Sequence, residues 1–196
     1  MLPQAQISLH LDLFRYWALK GAGRAMPARR DIDPCEMPAA LLPHVVIIDQ
    51  ADGRFRYRLV GTAVVRDLGS DLTGCWVGSH TSSPSYAAAV LSIYQRAFAS
   101  ARPLFTTGEH RTDGGTIQSN SRLLLPLSDD GATVNMVIFS RVARFNRNAT
   151  AGTDWLKDAP GKVCSVDGVA TEEEIARLSL EWERHCLSSG ALAASI

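Results

Sequence analysis

The chain has 196 residues, which suits one domain of about 150 residues with extensions. Its 46% hydrophobic and 20% charged content excludes wholesale disorder, and no apolar run approaches the roughly 18 residues of a membrane span. Net charge is zero, with 16 basic against 12 acidic side chains in residues 1–150 and 4 against 8 in 151–196, so neither part carries a nucleic-acid footprint. Met1 to Ser8 lacks the basic and apolar regions of a signal peptide. A cytoplasmic location is therefore expected, with Cys35, Cys75, Cys164 and Cys186 as reduced thiols and no CxxC pair to suggest zinc.

Residues 8–20 read as a helix, with Leu9, Leu13 and Trp17 at four-residue spacing and Gly21 and Gly23 as the stop. A short helix is predicted over 33–42, capped by Asp33, with Pro34 at its first position and Pro43 at its end. Residues 44–50 form a strand that is apolar on both faces. Asp52-Gly53 then makes a hairpin turn into 54–60, whose alternation puts Arg54, Arg56 and Arg58 on one face and Phe55, Tyr57 and Leu59 on the other. Thr62 is placed to cap a short helix through Leu68. A loop over 69–82 carries Cys75 and Trp76, and a long helix over 83–101 has Ala87, Val90, Leu91, Tyr94 and Phe98 on one side.

Three strands follow, 104–111, 116–127 and 133–142, joined by turns at Asp113-Gly114-Gly115 and Asp129-Asp130-Gly131. The last is again apolar on both faces. Residues 152–167 read as a linker, and Thr171-Glu-Glu-Glu174 is a capping box that opens a final helix to about Leu187, with Ile175, Leu178, Trp182 and Cys186 as its stripe. Hairpins dominate, so the fold class is α+β with a five-stranded antiparallel sheet. The two doubly apolar strands, 44–50 and 134–142, should be adjacent and central, with middle helices on one face and the N-terminal helix on the other.

This order resembles that of a PAS domain, and particular segments resemble a bacterial subfamily of stand-alone PAS domains. They are the Tyr-Trp pair within Leu13 to Gly21, the proline-arginine-aspartate segment Pro27 to Pro34 with Pro38 and Leu41-Leu-Pro43, Phe55 to Thr62, Asp71-Leu-Thr-Gly74, and Leu125-Pro-Leu-Ser-Asp-Asp-Gly131. The resemblance spans about residues 7–144 and divides the chain into an N-terminal helical cap (1–43), a PAS core (44–144), and a linker with C-terminal helix (145–196). It implies a non-catalytic sensory module, often dimeric, that binds a small ligand or a signalling protein. It leaves the ligand open, since fold does not imply function.

Flavin-binding blue-light PAS domains keep a reactive cysteine in the region of Cys75, within an Asn-Cys-Arg-Phe-Leu-Gln stretch. Here Cys75 follows Gly74 and lacks that set. His80 precedes the long helix, where haem-binding PAS domains keep an axial histidine, but a loop histidine is ordinarily polar surface. No cofactor, chromophore or metal is expected. Asp31/Asp33 and Asp129/Asp130 are explained by capping and turns, and the arginine row by surface ion pairs, although it could also bind an anion. A ligand pocket is expected between the long helix and the sheet, lined by Phe55, Tyr57, Leu59, Trp76, Tyr94, Phe98 and His110, with the two tyrosine hydroxyls as polar contacts. Two alternatives remain. One is a hydratase- or isomerase-type pocket enzyme using, for example, His110 with an acidic partner; the other is a dimerisation scaffold with a filled core. A homodimer is expected because Leu9, Leu11, Leu13, Phe14, Tyr16, Trp17 and Leu19 exceed one apolar stripe. Neither membrane insertion nor nucleic-acid binding is expected.

Overall fold

A computed structural model describes residues 4–79, 81, 84–111, 117–146 and 171–188. The predicted linker, the turn at 113–115, the tail after 188, His80 and Cys164 lie outside the described residues. Among the described residues four α-helices, α1 (Gln4–Gly21), α2 (Thr62–Leu68), α3 (Pro84–Ser100) and α4 (Glu172–Ser188), accompany five strands. These are β1 (Val45–Ala51), β2 (Arg54–Val60), β3 (Leu104–Arg111), β4 (Ile117–Leu127) and β5 (Met136–Asn146). They form one antiparallel sheet in the order β2-β1-β5-β4-β3. β5 is central and β1 lies beside it, as their two-sided apolarity predicts: Val45 to Ile48 and Val137 to Phe139 are all buried.

α2 and α3 cover one face. The other is covered by α1, whose buried His10 hydrogen-bonds Ser140 and Ser121 on β5 and β4, and by α4, whose Glu183 pairs with Arg144 of β5. The capping box of α4 forms as read: Glu174 N–H donates to Thr171 Oγ1, and Thr171 N–H to the Glu174 carboxylate, both at 3.3 Å. α4 also docks along α1, with Arg15 paired to Glu172 at 2.9 Å. Much of the apolar surface from which a homodimer was expected is therefore covered within one chain. Leu11 and Phe14 are half-buried, and Leu19 stays exposed.

Several expectations need correction. Residues 33–42 do not form one helix. Asp33 does accept from Cys35 N–H, but the 3₁₀ turn it opens ends at Glu36, because Pro38 holds Met37 extended (ψ 148°), and a second turn spans Leu42–His44. Gly61, not Thr62, is the N-cap of α2. β5 starts at Met136 rather than Thr133, because the Asp130 carboxylate binds the Ala132 and Thr133 N–H groups and keeps them from the ladder. Those bonds, with one from the Ser128 hydroxyl, hold the Asp130 carboxyl far below the usual carboxylate range.

The segments that carried the family resemblance meet in space. The Tyr16 hydroxyl donates to Asp33 O (3.0 Å) and accepts from Asp33 N–H (2.7 Å), fixing the connecting segment against α1. Trp17 Nε1 donates to Pro126 O at 2.8 Å, and Ser128 N–H to Pro27 O at 2.9 Å.

Candidate functional site

A cavity of about 20 Å³ lies between α2, α3 and the sheet. The β1–β2 hairpin supplies Val46, Tyr57 and Val60; α3 supplies Tyr86, Val90 and Tyr94; and the central strands supply Phe139, Arg141 and Arg122. Half-buried Leu68 and Tyr86 stand at its edge. The volume accommodates one or two water-sized atoms, far less than the several hundred Å³ (roughly) of an ordinary small-molecule pocket.

The aromatic walls are packed. Tyr57 and Tyr94 meet edge-on at 6.4 Å, and Tyr94 leans on Phe139 at 5.7 Å. Burial pushes the Tyr57 phenol well above its usual value, helped by Tyr94; burial also raises Tyr94, against the pull of the Arg122 charge. Phe55 packs at a tilt against Phe98 (4.9 Å) and edge-on against Tyr94 (6.3 Å) behind this wall without lining the cavity.

Of the seven predicted ligand-binding residues, Tyr57 and Tyr94 line the cavity, while Phe55 and Phe98 support it. Leu59 does not belong to it. The β1–β2 register shifts between Ile47 and Ile48, pairing Leu59 with Ile47 but Tyr57 with Ile48. One extra residue, Arg58, thus turns Leu59 to the opposite face and breaks the alternation read from sequence. Trp76 is also misplaced. It bridges to Arg56 on the outside of β2, where the Arg54 and Arg56 guanidiniums lie 4.3 and 5.6 Å from its ring. The side chain of His110 lies outside the described residues. Two arginines of the row make ion pairs: Arg56 at 3.0 Å and Arg58 at 3.5 Å both hold the buried Asp49.

The sequence reading missed the two arginines. Arg122 and Arg141 face each other across the β4–β5 ladder and are 5% and 2% exposed. Arg141 donates to Asp67 (3.0 Å) and Gln118 (2.7 Å). Burial and the like charge of Arg122 pull its pKa below the usual guanidinium range. An arginine inside a strand otherwise apolar on both faces was the available signal: Arg141 follows Val137-Ile-Phe-Ser140.

A PAS-domain family profile matches residues 6–138. The chain belongs to the PAS-domain family. Comparison with curated proteins gives no match. Among solved structures this PAS chain is similar to the LOV protein of Rhodobacter sphaeroides, at 12% identity over 75% of this chain and 84% of that one, with a TM-score of 0.42. It is also similar to an RNA-binding light-oxygen-voltage receptor, at 14% identity over 79% of this chain and 41% of that one, with a TM-score of 0.39. The PAS profile begins inside α1, so the Tyr16 and Trp17 anchors are part of the matched region. In this PAS chain Cys75 is a half-buried loop residue whose backbone pairs with Tyr57 of β2. Among the described residues no cluster of ligands could hold a metal ion, and no helix is long and apolar enough to cross a membrane.

Proposed function

We propose that this chain is a non-catalytic cytoplasmic PAS sensor. Residues 1–43 act as a cap, 44–144 as the sensing core, and 145–196 as linker and output helix. A small ligand occupies the α2–α3 cavity, oriented by the Tyr57 and Tyr94 hydroxyls with Phe55 and Phe98 as backing. The α1–α4 layer reports occupancy to a signalling partner. One observation carries this reading: both faces of β5 are engaged, Phe139 and Arg141 by the cavity, Ser140 and Arg144 by the helix pair. A change in one layer bears directly on the strand that holds the other.

The enzyme alternative needs an acid–base pair at the cavity. Among the described lining residues there is neither carboxylate nor histidine. The filled-core scaffold has a specific observation in its favour, the close aromatic packing around only about 20 Å³. Native mass spectrometry of freshly purified chain, followed by a metabolite thermal-shift screen, separates the two readings. A bound small molecule, or a compound that raises Tm and loses its effect in Tyr57→Phe, supports the sensor. A bare chain with no responding compound supports the scaffold.

A further inference from the structure

Among the described residues the charge at the cavity wall does not balance. Arg122 and Arg141 bring two guanidiniums to adjoining positions on one sheet face, and Asp67 brings one carboxylate, spent on Arg141. Among the described residues Arg122 has neither a carboxylate nor a hydrogen-bond acceptor, and the buried Nε of Arg141 is also without a partner. An uncompensated positive charge in a largely buried wall is unfavourable. Arginine stays protonated under these conditions, so the imbalance cannot be relieved by losing a proton. An anion entering the cavity would cancel it, since both guanidiniums line the wall.

We propose that the α2–α3 cavity is an anion site and that its ligand is a small monocarboxylate with a short apolar tail. The inference rests on the sensor reading above and names its ligand class. Three features select this chemistry. The excess is one positive charge, which one carboxylate cancels and a phosphate dianion would overshoot. The planar guanidinium fork matches a carboxylate bidentately. The enclosed space takes only the two oxygens of the head, so the short tail would lie at the half-buried edge, beside Val60 and Leu68.

The test is a titration of the full chain with propionate, with propionamide as the uncharged isostere, and with inorganic phosphate, all at constant ionic strength in chloride. Calorimetry should detect propionate and not propionamide, with phosphate weaker than propionate. Arg122→Met should weaken propionate about 10–100-fold, the loss of a charge-assisted contact. The same variant should leave the ligand-free Tm unchanged or raised, because it removes an unpaired buried charge. Arg122→Lys, which keeps the charge without the fork, should recover part of the affinity. Equal binding of propionate and propionamide overturns the anion class but leaves a ligand-sensing cavity in place. Tighter phosphate than propionate, or an Arg122→Met variant with a lowered ligand-free Tm and unchanged propionate affinity, overturns the monocarboxylate site. Silence towards every probe overturns it as well, and the sensor reading is then judged separately by whether filling the cavity with Val90→Leu alters hydrogen exchange in α1 and α4.

Discussion

Ser140 and Arg141 are neighbours on the central strand and serve opposite layers of the protein. Ser140 Oγ lies 2.7 Å from His10 Nδ1 in the helix layer, while Arg141 lines the cavity and holds Asp67 of α2 at 3.0 Å. Side chains on a strand alternate between faces, so any displacement of this backbone is felt on both sides. The two layers therefore meet on adjacent residues of one strand.

The helix layer should be acid-sensitive through His10. Burial, with a smaller contribution from the charge of His44, lowers its pKa from 6.5 to about 3. The folded state keeps the imidazole neutral, while the unfolded chain takes up a proton below about 6.5. The unfolded state thus binds more protons between these values. The stabilisation is fully present above pH 6.5 and is lost as pH falls towards 3, at up to about 1.4 kcal/mol per unit. Urea midpoints at pH 7 and pH 5 should fall more for the wild type than for His10→Gln. Parallel losses would remove His10 as the cause.

α4 should be held by one buried ion pair. Arg144 and Glu183 meet at 2.8 Å with side chains 3% and 4% exposed, and burial pushes the Glu183 carboxyl up against the pull of Arg144. Glu183→Ala should cost about 3–5 kcal/mol, because it strands the guanidinium. The double variant Arg144→Leu/Glu183→Leu should recover most of that loss. A chemical-denaturation cycle measures both, and additive single effects would show that the pair is not coupled.

Gly61 should not tolerate a side chain. Its backbone is ordinary (φ −66°), but a Cβ there would sit 2.3 Å from the carbonyl oxygen of Pro43, and its N–H donates to Val45 O at 2.8 Å. Gly61→Ala must push apart the start of β1 and the N-terminus of α2, at a cost of about 1–3 kcal/mol. A Tm within a degree of wild type would contradict this.

That glycine also shows what the sequence makes legible. Phe55 to Thr62, one of the segments that resembled the family, holds a tight strand-to-helix junction where a side chain at Gly61 would meet Pro43 O. Strand order was readable because Val45 to Ile48 and Val137 to Phe139 have no polar face to offer water. The pocket was only half readable. Tyr57 and Tyr94 followed from periodicity, but the extra residue at Arg58 reverses Leu59, and a register shift leaves no mark in an alternating pattern. Trp76 was misplaced because its loop folds back over the arginines of β2. Arg122 and Arg141 were overlooked because arginine in a strand is ordinarily read as surface; their burial follows from their place on two inner strands beneath α2 and α3.

The central claim is that the cavity side of the sheet controls the α1–α4 layer. Hydrogen exchange on the full chain tests it most directly, comparing wild type with Val90→Leu, which adds one methylene to the cavity wall. The account predicts altered exchange in the amides of α1 and α4 as well as those of α2 and α3. Changes confined to α2 and α3, with α1 and α4 exchanging as in the wild type, would contradict it.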